Sequence, residues 1–323
     1  MFRSTLTFCL AALLAAGAGS PAVADTYPTR PIKVISPFPA GGATDVLTRI
    51  LAERMGKDLK QTLIVENKAG AGTSIGASYV SREQPDGYTI LMATNSTLVT
   101  NRFLYKDLPY DPDGFAPIGL VGIGPLVLLS SPKQPFKSTR ELVAYAKNHP
   151  GKLTFASFGP GTSSHLAGEL FKDQAGIDIL HVPFKGATQA LPALISGDVD
   201  VFFDMVATGM PQAKAGKINV FGITSKARLP SEPALATLAE QGWPTFDMSA
   251  WFSFVAPKGT PPDVLARLQQ ALQTTLSDET VRAKMLDMGI DPRSGSAADL
   301  QAQIRNEQPL VQQLIKQANI ALQ

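Results

Sequence analysis

The sequence predicts an α/β fold of two domains, and three observations carry that prediction. Short apolar, β-branched runs alternate with segments of helical apolar spacing, and 27 glycines and 25 prolines supply breaks for many short turns between them. At 323 residues the chain is also long enough for two domains of typical size. Alternation of this kind predicts a mostly parallel sheet with ligands at the carboxyl ends of its strands.

The first residues read as an export leader rather than as part of the fold. Arg3 gives a basic start, Phe8 to Ala18 an apolar stretch, and Ala22-Val23-Ala24 a small-residue cleavage site before Asp25, so the expected signal peptide is 1–24, cleaved after Ala24. Its apolar stretch is shorter than the ~20 residues a membrane span needs. Cys9, the only cysteine, lies inside this leader behind Phe8, which is not the small residue a lipid-anchored cysteine requires. The mature chain is therefore expected to lack disulfides, thiolate chemistry and zinc–thiolate sites. With 29 basic and 27 acidic residues, the charge balance argues against nucleic acid or a membrane surface as the main partner.

Ile32-Lys33-Val34-Ile35 reads as the first strand, and a helix follows from Asp45 to about Lys60. Between them, Pro37-Phe38-Pro39-Ala40-Gly41-Gly42-Ala43-Thr44-Asp45 forms a strand-to-helix junction. The glycines let the backbone approach a ligand and the prolines stiffen the entry. Free N–H groups and the positive end of the helix dipole make such a junction an anion site. The same residues would also serve a plain connection with Thr44 or Asp45 as N-cap. A second unit runs from the strand Thr62 to Glu66 through the glycine-rich Ala69-Gly70-Ala71-Gly72 into a helix from about Ile75 to Arg82. The turn Gln84-Pro85-Asp86-Gly87 ends that helix, and the strand Tyr88 to Thr94 leaves Asn95, Ser96 and Thr97 at its carboxyl end.

From Leu104 to Pro117 the chain is loop-like, and the apolar run Ile118 to Leu129 then reads as one long strand crossing between domains. Ser138 caps a helix to Asn148, with Glu141 completing a capping box. Strands follow at Leu153 to Phe158, Ile179 to Phe184, Val199 to Met205 and Asn219 to Thr224, separated by helical patterns at Leu166 to Ala175, Thr188 to Ser196 and Thr208 to Ala215. Met248 to Ala256 is a return strand, so the expected first domain is discontinuous, 25–125 with 249–323, around a second domain of 126–248. Three closing helices, begun by Pro261-Pro262, Asp278 and Ser296, carry apolar residues at ordinary packing spacing.

One internal echo stands out. Pro37-Phe38 leads to Gly42-Ala43-Thr44 and Leu47, while Pro183-Phe184 leads to Gly186-Ala187-Thr188 and Leu191. Chance likeness in turn-rich sequence is the simpler origin, yet each domain thereby presents a polar, glycine-bearing turn.

Enzymatic motifs each lack a second component. Gly72-Thr73-Ser74-Ile75-Gly76 fits the nucleophile-elbow pattern with all three histidines after it, giving the alternative of an exported serine hydrolase using Ser74. That serine, however, is separated from its strand by Asn67 to Thr73. Gly70-x-Gly72 resembles a dinucleotide fingerprint, but no acid ends the next strand at Ala93-Thr94-Asn95. His149, His165 and His181 fall on separate elements without a partner at ligand spacing, so neither a metal nor a cofactor is expected. The stronger constellation is Ser157-Phe158-Gly159-Pro160-Gly161-Thr162-Ser163-Ser164-His165, with four hydroxyl residues and two glycines between a strand and a helix. Hydroxyls and free amides can hold a carboxylate without a formal positive charge, whereas a plain cap would need one of those hydroxyls.

These stretches resemble a known family. The junction from Pro37 to Asp45, Val65-Glu66-Asn67-Lys68-Ala69-Gly70-Ala71-Gly72, Pro85-Asp86-Gly87-Tyr88-Thr89, Leu108-Pro109-Tyr110-Asp111-Pro112, Ser163-Ser164-His165-Leu166-Ala167-Gly168-Glu169-Leu170 and Val182-Pro183-Phe184-Lys185-Gly186 are similar, in order, to the signature segments of tripartite tricarboxylate transporter substrate-binding receptors, the Bug receptors. The likeness covers essentially the whole mature chain. It implies a type II periplasmic-binding-protein-like fold of two α/β domains with a ligand cleft between them. It also implies a non-enzymatic, monomeric periplasmic receptor that serves membrane transporter subunits and does not bind nucleic acid.

By the same resemblance, Phe38, Pro39, Ala40, Gly41, Gly42, Thr44 and Asp45, with Ser157, Gly159, Gly161, Thr162, Ser163, Ser164 and His165, would hold one carboxylate. Asn95, Ser96, Lys185, Gly186, Ala187, Thr188 and Asp204 would meet the rest of the ligand. Two departures bear on that ligand: Met205 follows Asp204 where asparagine is common, and Phe158 stands where a small residue is usual. Apolar bulk near the cleft implies an apolar or aromatic far end, as in an aromatic dicarboxylate such as terephthalate.

Overall fold

The computed structural model describes residues 27–318 and Ile320, and the expected signal peptide lies outside them. Eight elements make the first part of the fold: β1 (Ile32–Ser36), α1 (Ala43–Leu59), β2 (Leu63–Asn67), α2 (Ser74–Ser81), β3 (Thr89–Thr94), α3 (Asn101–Leu104), β4 (Phe115–Ser130) and α4 (Thr139–Asn148). The chain continues through β5 (Thr154–Ser157), α5 (Ser163–Ala175), β6 (Leu180–Pro183), α6 (Ala187–Ser196), β7 (Val201–Met205), α7 (Val206–Lys214) and β8 (Asn219–Ile223). It closes with β9 (Ser249–Pro257), α8 (Pro262–Ser277), α9 (Glu279–Asp287), β10 (Asp291–Pro292) and α10 (Ala297–Gln317).

Strand order is β2-β1-β3-β9-β4-β7-β5-β6, with β8 and β10 also paired to β4. The two outer groups, β2-β1-β3 and β7-β5-β6, are parallel, as βα alternation dictates. Every pairing made by β4 or β9 is antiparallel, so the sheet is mixed rather than mostly parallel. The cause is connectivity. A strand that leaves one group and a strand that returns to it run in opposite directions side by side.

β4 changes partners midway. Phe115 to Pro125 pair with β9, and Leu126 to Ser130 pair with β7, while β8 joins the same end from Val127 onward. Two α/β lobes are thus strung on one 16-residue strand. Each lobe is held by ordinary apolar burial. Leu47, Leu51 and Met55 of α1 are fully buried in one core cluster with Ile32 and Val34, and each such side chain contributes about 1.5–3 kcal/mol relative to exposure. Leu268 and Leu272 of α8 join the same cluster.

Helix starts differ from expectation in an informative way. α1 begins at Ala43 behind Gly42, so Thr44 and Asp45 lie inside its first turn instead of capping it. α5 begins at Ser163 because Thr162 caps it, Oγ1 accepting from the His165 amide at 3.4 Å, which makes Ser163, Ser164 and His165 helical. Ser96 to Thr100 form a buried π-turn running into α3, where the sequence suggested no helix. β-branched Thr97, Val99 and Thr100 disfavour one, and burial overrides that preference.

Candidate functional site

Where the lobes face each other, they leave a small cavity of about 20 Å³, room for about one water. One wall is Phe38, Pro39, Gly42, Ala43 and Thr44; the other is Phe158, Gly186, Ala187, Thr188, Met205 and Thr208. The walls nearly touch: a Cβ placed on Gly186 would lie 2.9 Å from Pro39 Cδ, and one on Gly41 would lie 3.7 Å from Thr188 Cγ2. Phe38 and Phe158 meet edge to face with ring centroids 6.1 Å apart. Larger but more open depressions lie elsewhere, about 690 Å³ along α1 and β2 and about 580 Å³ beside α10. Neither brings the strand-to-helix turns of both lobes together.

Three helices begin at this cavity. α1 contributes its cap Gly42 with Ala43 and Thr44, α6 its cap Gly186 with Ala187 and Thr188, and α7 its cap Met205 with Thr208. First-turn amides have no acceptor within their own helix, and helix dipoles add positive potential at the same ends. None of the three caps uses a side chain, and among the described residues none that lines the cavity is charged.

Asp45 is the one acid in these first turns, and it faces away from the cavity. Its Oδ2 accepts from the Gly41 amide at 2.9 Å and from Arg49 Nε at 3.0 Å, and its Oδ1 accepts from Asn67 Nδ2 at 2.8 Å. Burial pushes this carboxyl up, but Arg49, the Gly41 amide and Asn67 outweigh it and hold it below the usual range. Asn67 also donates to the Phe38 carbonyl at 2.9 Å, so one small network shapes the whole turn. Gly41 sits at φ 81°, which only glycine adopts without strain. On the facing turn the Lys185 amide donates to Gln189 Oε1 at 3.3 Å, four residues on, just as Gly41 donates to Asp45.

The serine-rich stretch is arranged differently from its reading as a row of ligand hydroxyls. Ser157 Oγ bonds His181 Nε2 at 2.6 Å and accepts from the Gly159 amide, Thr162 donates to the Gly159 carbonyl at 2.7 Å, and Ser164 donates to the Phe203 carbonyl. These three hydroxyls hold the loop itself. Only Ser163 reaches toward the other lobe, its Oγ 3.5 Å from Asn95 Oδ1. His165 Nδ1 accepts from the Gly161 amide and its ring stacks on His181 with centroids 4.1 Å apart. Burial, the neighbouring imidazole and Lys172 push His165 down to about 3; burial and Lys172 push His181 down to about 4. Both rings are thereby held in the neutral form and pack against each other, with His165 Nδ1 as an acceptor.

Of the expected site residues, the cavity gathers Phe38, Pro39, Gly42, Thr44, Gly186, Ala187 and Thr188. Ala40 is exposed on the turn, and Gly159 and Lys185 line a neighbouring space of about 310 Å³ that Phe158 also borders. Asn95 donates to Glu307, and Ser96 is buried at the start of the π-turn. Asp204 is fully buried, one residue before Met205; its Oδ1 accepts from the Met205 amide at 2.8 Å. Its Oδ2 has no partner among the described residues, and burial raises its carboxyl to about 7. Ala43 and Thr208 complete the wall without having been named as contacts, and Phe158 and Met205 stand in it as the apolar bulk the sequence put near the cleft. The signal for Thr208 was available, since it belongs to another strand-to-helix turn. Ser74 is buried, and its Oγ accepts from Asn101 Nδ2 at 3.3 Å, an amide where a hydrolase would need an imidazole. Among the described residues there is no cluster of metal-ligating side chains and no helix long and apolar enough to cross a membrane.

Comparison with known proteins agrees with this architecture. Residues 47–320 match the tripartite tricarboxylate transporter family receptor profile. The periplasmic binding protein BugD has a solved structure that superposes with a TM-score of 0.88 at 36% identity, over 92% of this chain and 100% of that one. A protein of R. palustris solved with adipate gives 0.89 at 32% identity over 92% and 100%. MatC from Rhodopseudomonas palustris, with bound malate, gives 0.85 at 31% over 90% and 100%. The two-domain fold is therefore that of periplasmic binding proteins, and the chain belongs to the tripartite tricarboxylate transporter receptor family.

Proposed function

We propose that this chain is a periplasmic receptor that captures a small organic carboxylate between its lobes and presents it to a tripartite-tricarboxylate-type transporter in the membrane. The observation that carries this reading is the meeting of three helix N-termini, from both lobes, on one small cavity with uncharged walls. Amides and the hydroxyls of Thr44 and Thr188 suit a carboxylate group, and the rings of Phe38 and Phe158 suit an apolar or aromatic body. Relatives solved with adipate and malate support the ligand class. An aromatic dicarboxylate such as terephthalate is the specific candidate we favour.

In this reading the lobes are 25–125 with 249–323 and 126–248, hinged where β4 exchanges partners and β9 returns. A ligand bridging both walls favours the closed arrangement. The leader 1–24 exports the protein, which works as a monomer without metal or cofactor.

Calorimetry of the purified protein against aliphatic and aromatic mono- and dicarboxylates tests the proposal. Saturable binding is expected, weakened in Thr188→Val by about 1–2 kcal/mol, the loss of a hydrogen bond to a charged group. Absence of binding across the panel would sink the reading.

A further inference from the structure

The crevice between the lobes holds two spaces, and one side chain lines both. Phe158 lines both the cavity of about 20 Å³ at the helix starts and a neighbouring open space of about 310 Å³. We propose that the Phe158 ring is a partition that sets the length of the bound ligand. This rests on the carboxylate-receptor reading given above and names the residue that selects among such ligands.

The ring is well placed for that role. Its backbone follows Ser157, whose hydroxyl is pinned by His181 and by the Gly159 amide, so the stem of the side chain is fixed. Behind it stands fully buried Phe202, edge to face at 5.4 Å between centroids; in front, across the crevice, stands Phe38 at 6.1 Å. Three rings in a row leave Phe158 little room to swing aside. Phe158 is itself only partly buried, so its faces remain available to both spaces.

The far space is built to receive something. Its wall includes the turn Gly70-Ala71-Gly72, which together with Thr73 holds four successive residues at positive φ: 128°, 46°, 55° and 81°. Ala71 and Thr73 carry side chains there, a conformation that costs energy and concentrates at functional sites. Gly72 abuts the opposite lobe so closely that an added Cβ would lie 2.1 Å from the Pro160 carbonyl oxygen. Among the described residues, Lys185 is the one charged side chain lining either space. The far space is therefore suited to a second carboxylate, which an extended α,ω-dicarboxylate could deliver only by passing the position of the Phe158 ring. With the ring in place, a ligand that parts the lobes and seats one carboxylate at the helix starts is kept from the far space, and short chains are favoured.

The test is a calorimetric length profile with saturated α,ω-dicarboxylates from malonate to sebacate, on the parent and on Phe158→Ala. The parent should prefer short members. Phe158→Ala should move the optimum by about two methylenes toward longer chains, with at least about tenfold tighter binding of the longest ligands, and Lys185→Ala in that background should abolish the gain. Phe158→Leu, which keeps apolar bulk for folding, should give an intermediate profile. An unchanged profile in Phe158→Ala or Phe158→Leu, with carboxylate binding intact, overturns the partition alone. A parent that binds no carboxylate overturns the receptor reading, and the partition with it.

Discussion

The β1–α1 and β6–α6 turns repeat one design with one difference. Both follow a Pro-Phe pair, both place Gly-Ala-Thr on the cavity, and in both an amide just before the helix donates to a side chain four residues ahead. In the first turn that acceptor is the carboxylate of Asp45, held by Arg49 and Asn67; in the second it is the neutral Gln189. The two turns show that a site of positive potential can tolerate an acid behind its wall when that acid faces away from the cavity and is neutralised. They also share one hydrogen-bond geometry with and without a charge, so the charge adds strength to a contact that both turns make.

The sharpest break in this likeness is Asp45→Ala. Losing a charged acceptor with three donors should destabilise the fold by about 2–3 kcal/mol, read from urea melts at neutral pH. Because the folded-state carboxyl titrates below its unfolded value, the stability it contributes is present above the usual carboxylate range and is lost as the pH falls through the folded one. The gap between Asp45→Ala and the parent should accordingly shrink in acid.

Next comes a pair of glycines. Gly186→Ala fits its extended backbone but would bring Cβ to 2.9 Å from Pro39 Cδ, so closure should suffer. Ligand affinity should drop about tenfold, with little change in the melting temperature, as a clash costing about 1–3 kcal/mol would give. Gly41→Ala should do the reverse, because its added Cβ has 3.7 Å to Thr188 while φ 81° penalises the side chain. It should lose about 1 kcal/mol of stability and keep its affinity. Gln189→Ala is the mildest change, about 0.5–1 kcal/mol for a neutral hydrogen bond and indifferent to pH between 3 and 6. Equal losses from Asp45→Ala and Gln189→Ala would mean that the charge adds nothing.

Much of this was legible in the sequence because strand-to-helix turns are written locally. Apolar runs flank Pro37 to Asp45 and Pro183 to Thr188, and glycine marks both helix starts. The serine-rich stretch was legible in content and not in direction. Nothing near Ser157, Thr162 or Ser164 says that their hydroxyls will find His181, Gly159 and Phe203, since two of those partners lie on other strands. The mixed sheet was hidden for a similar reason. The direction of β9 beside β3 and β4 depends on residues more than a hundred positions apart.

That placement of β9 also governs the order in which the molecule can be completed. In the finished sheet β9 is wedged between β3 and β4, so neither has its partner on that side until Ser249–Pro257 arrives. The strands from Leu126 to Ile223 pair only among themselves and can assemble earlier. A chain emerging from its amino end would therefore finish its middle before its beginning, leaving the β3 edge waiting, open to a chaperone, until the last third of the polypeptide arrives.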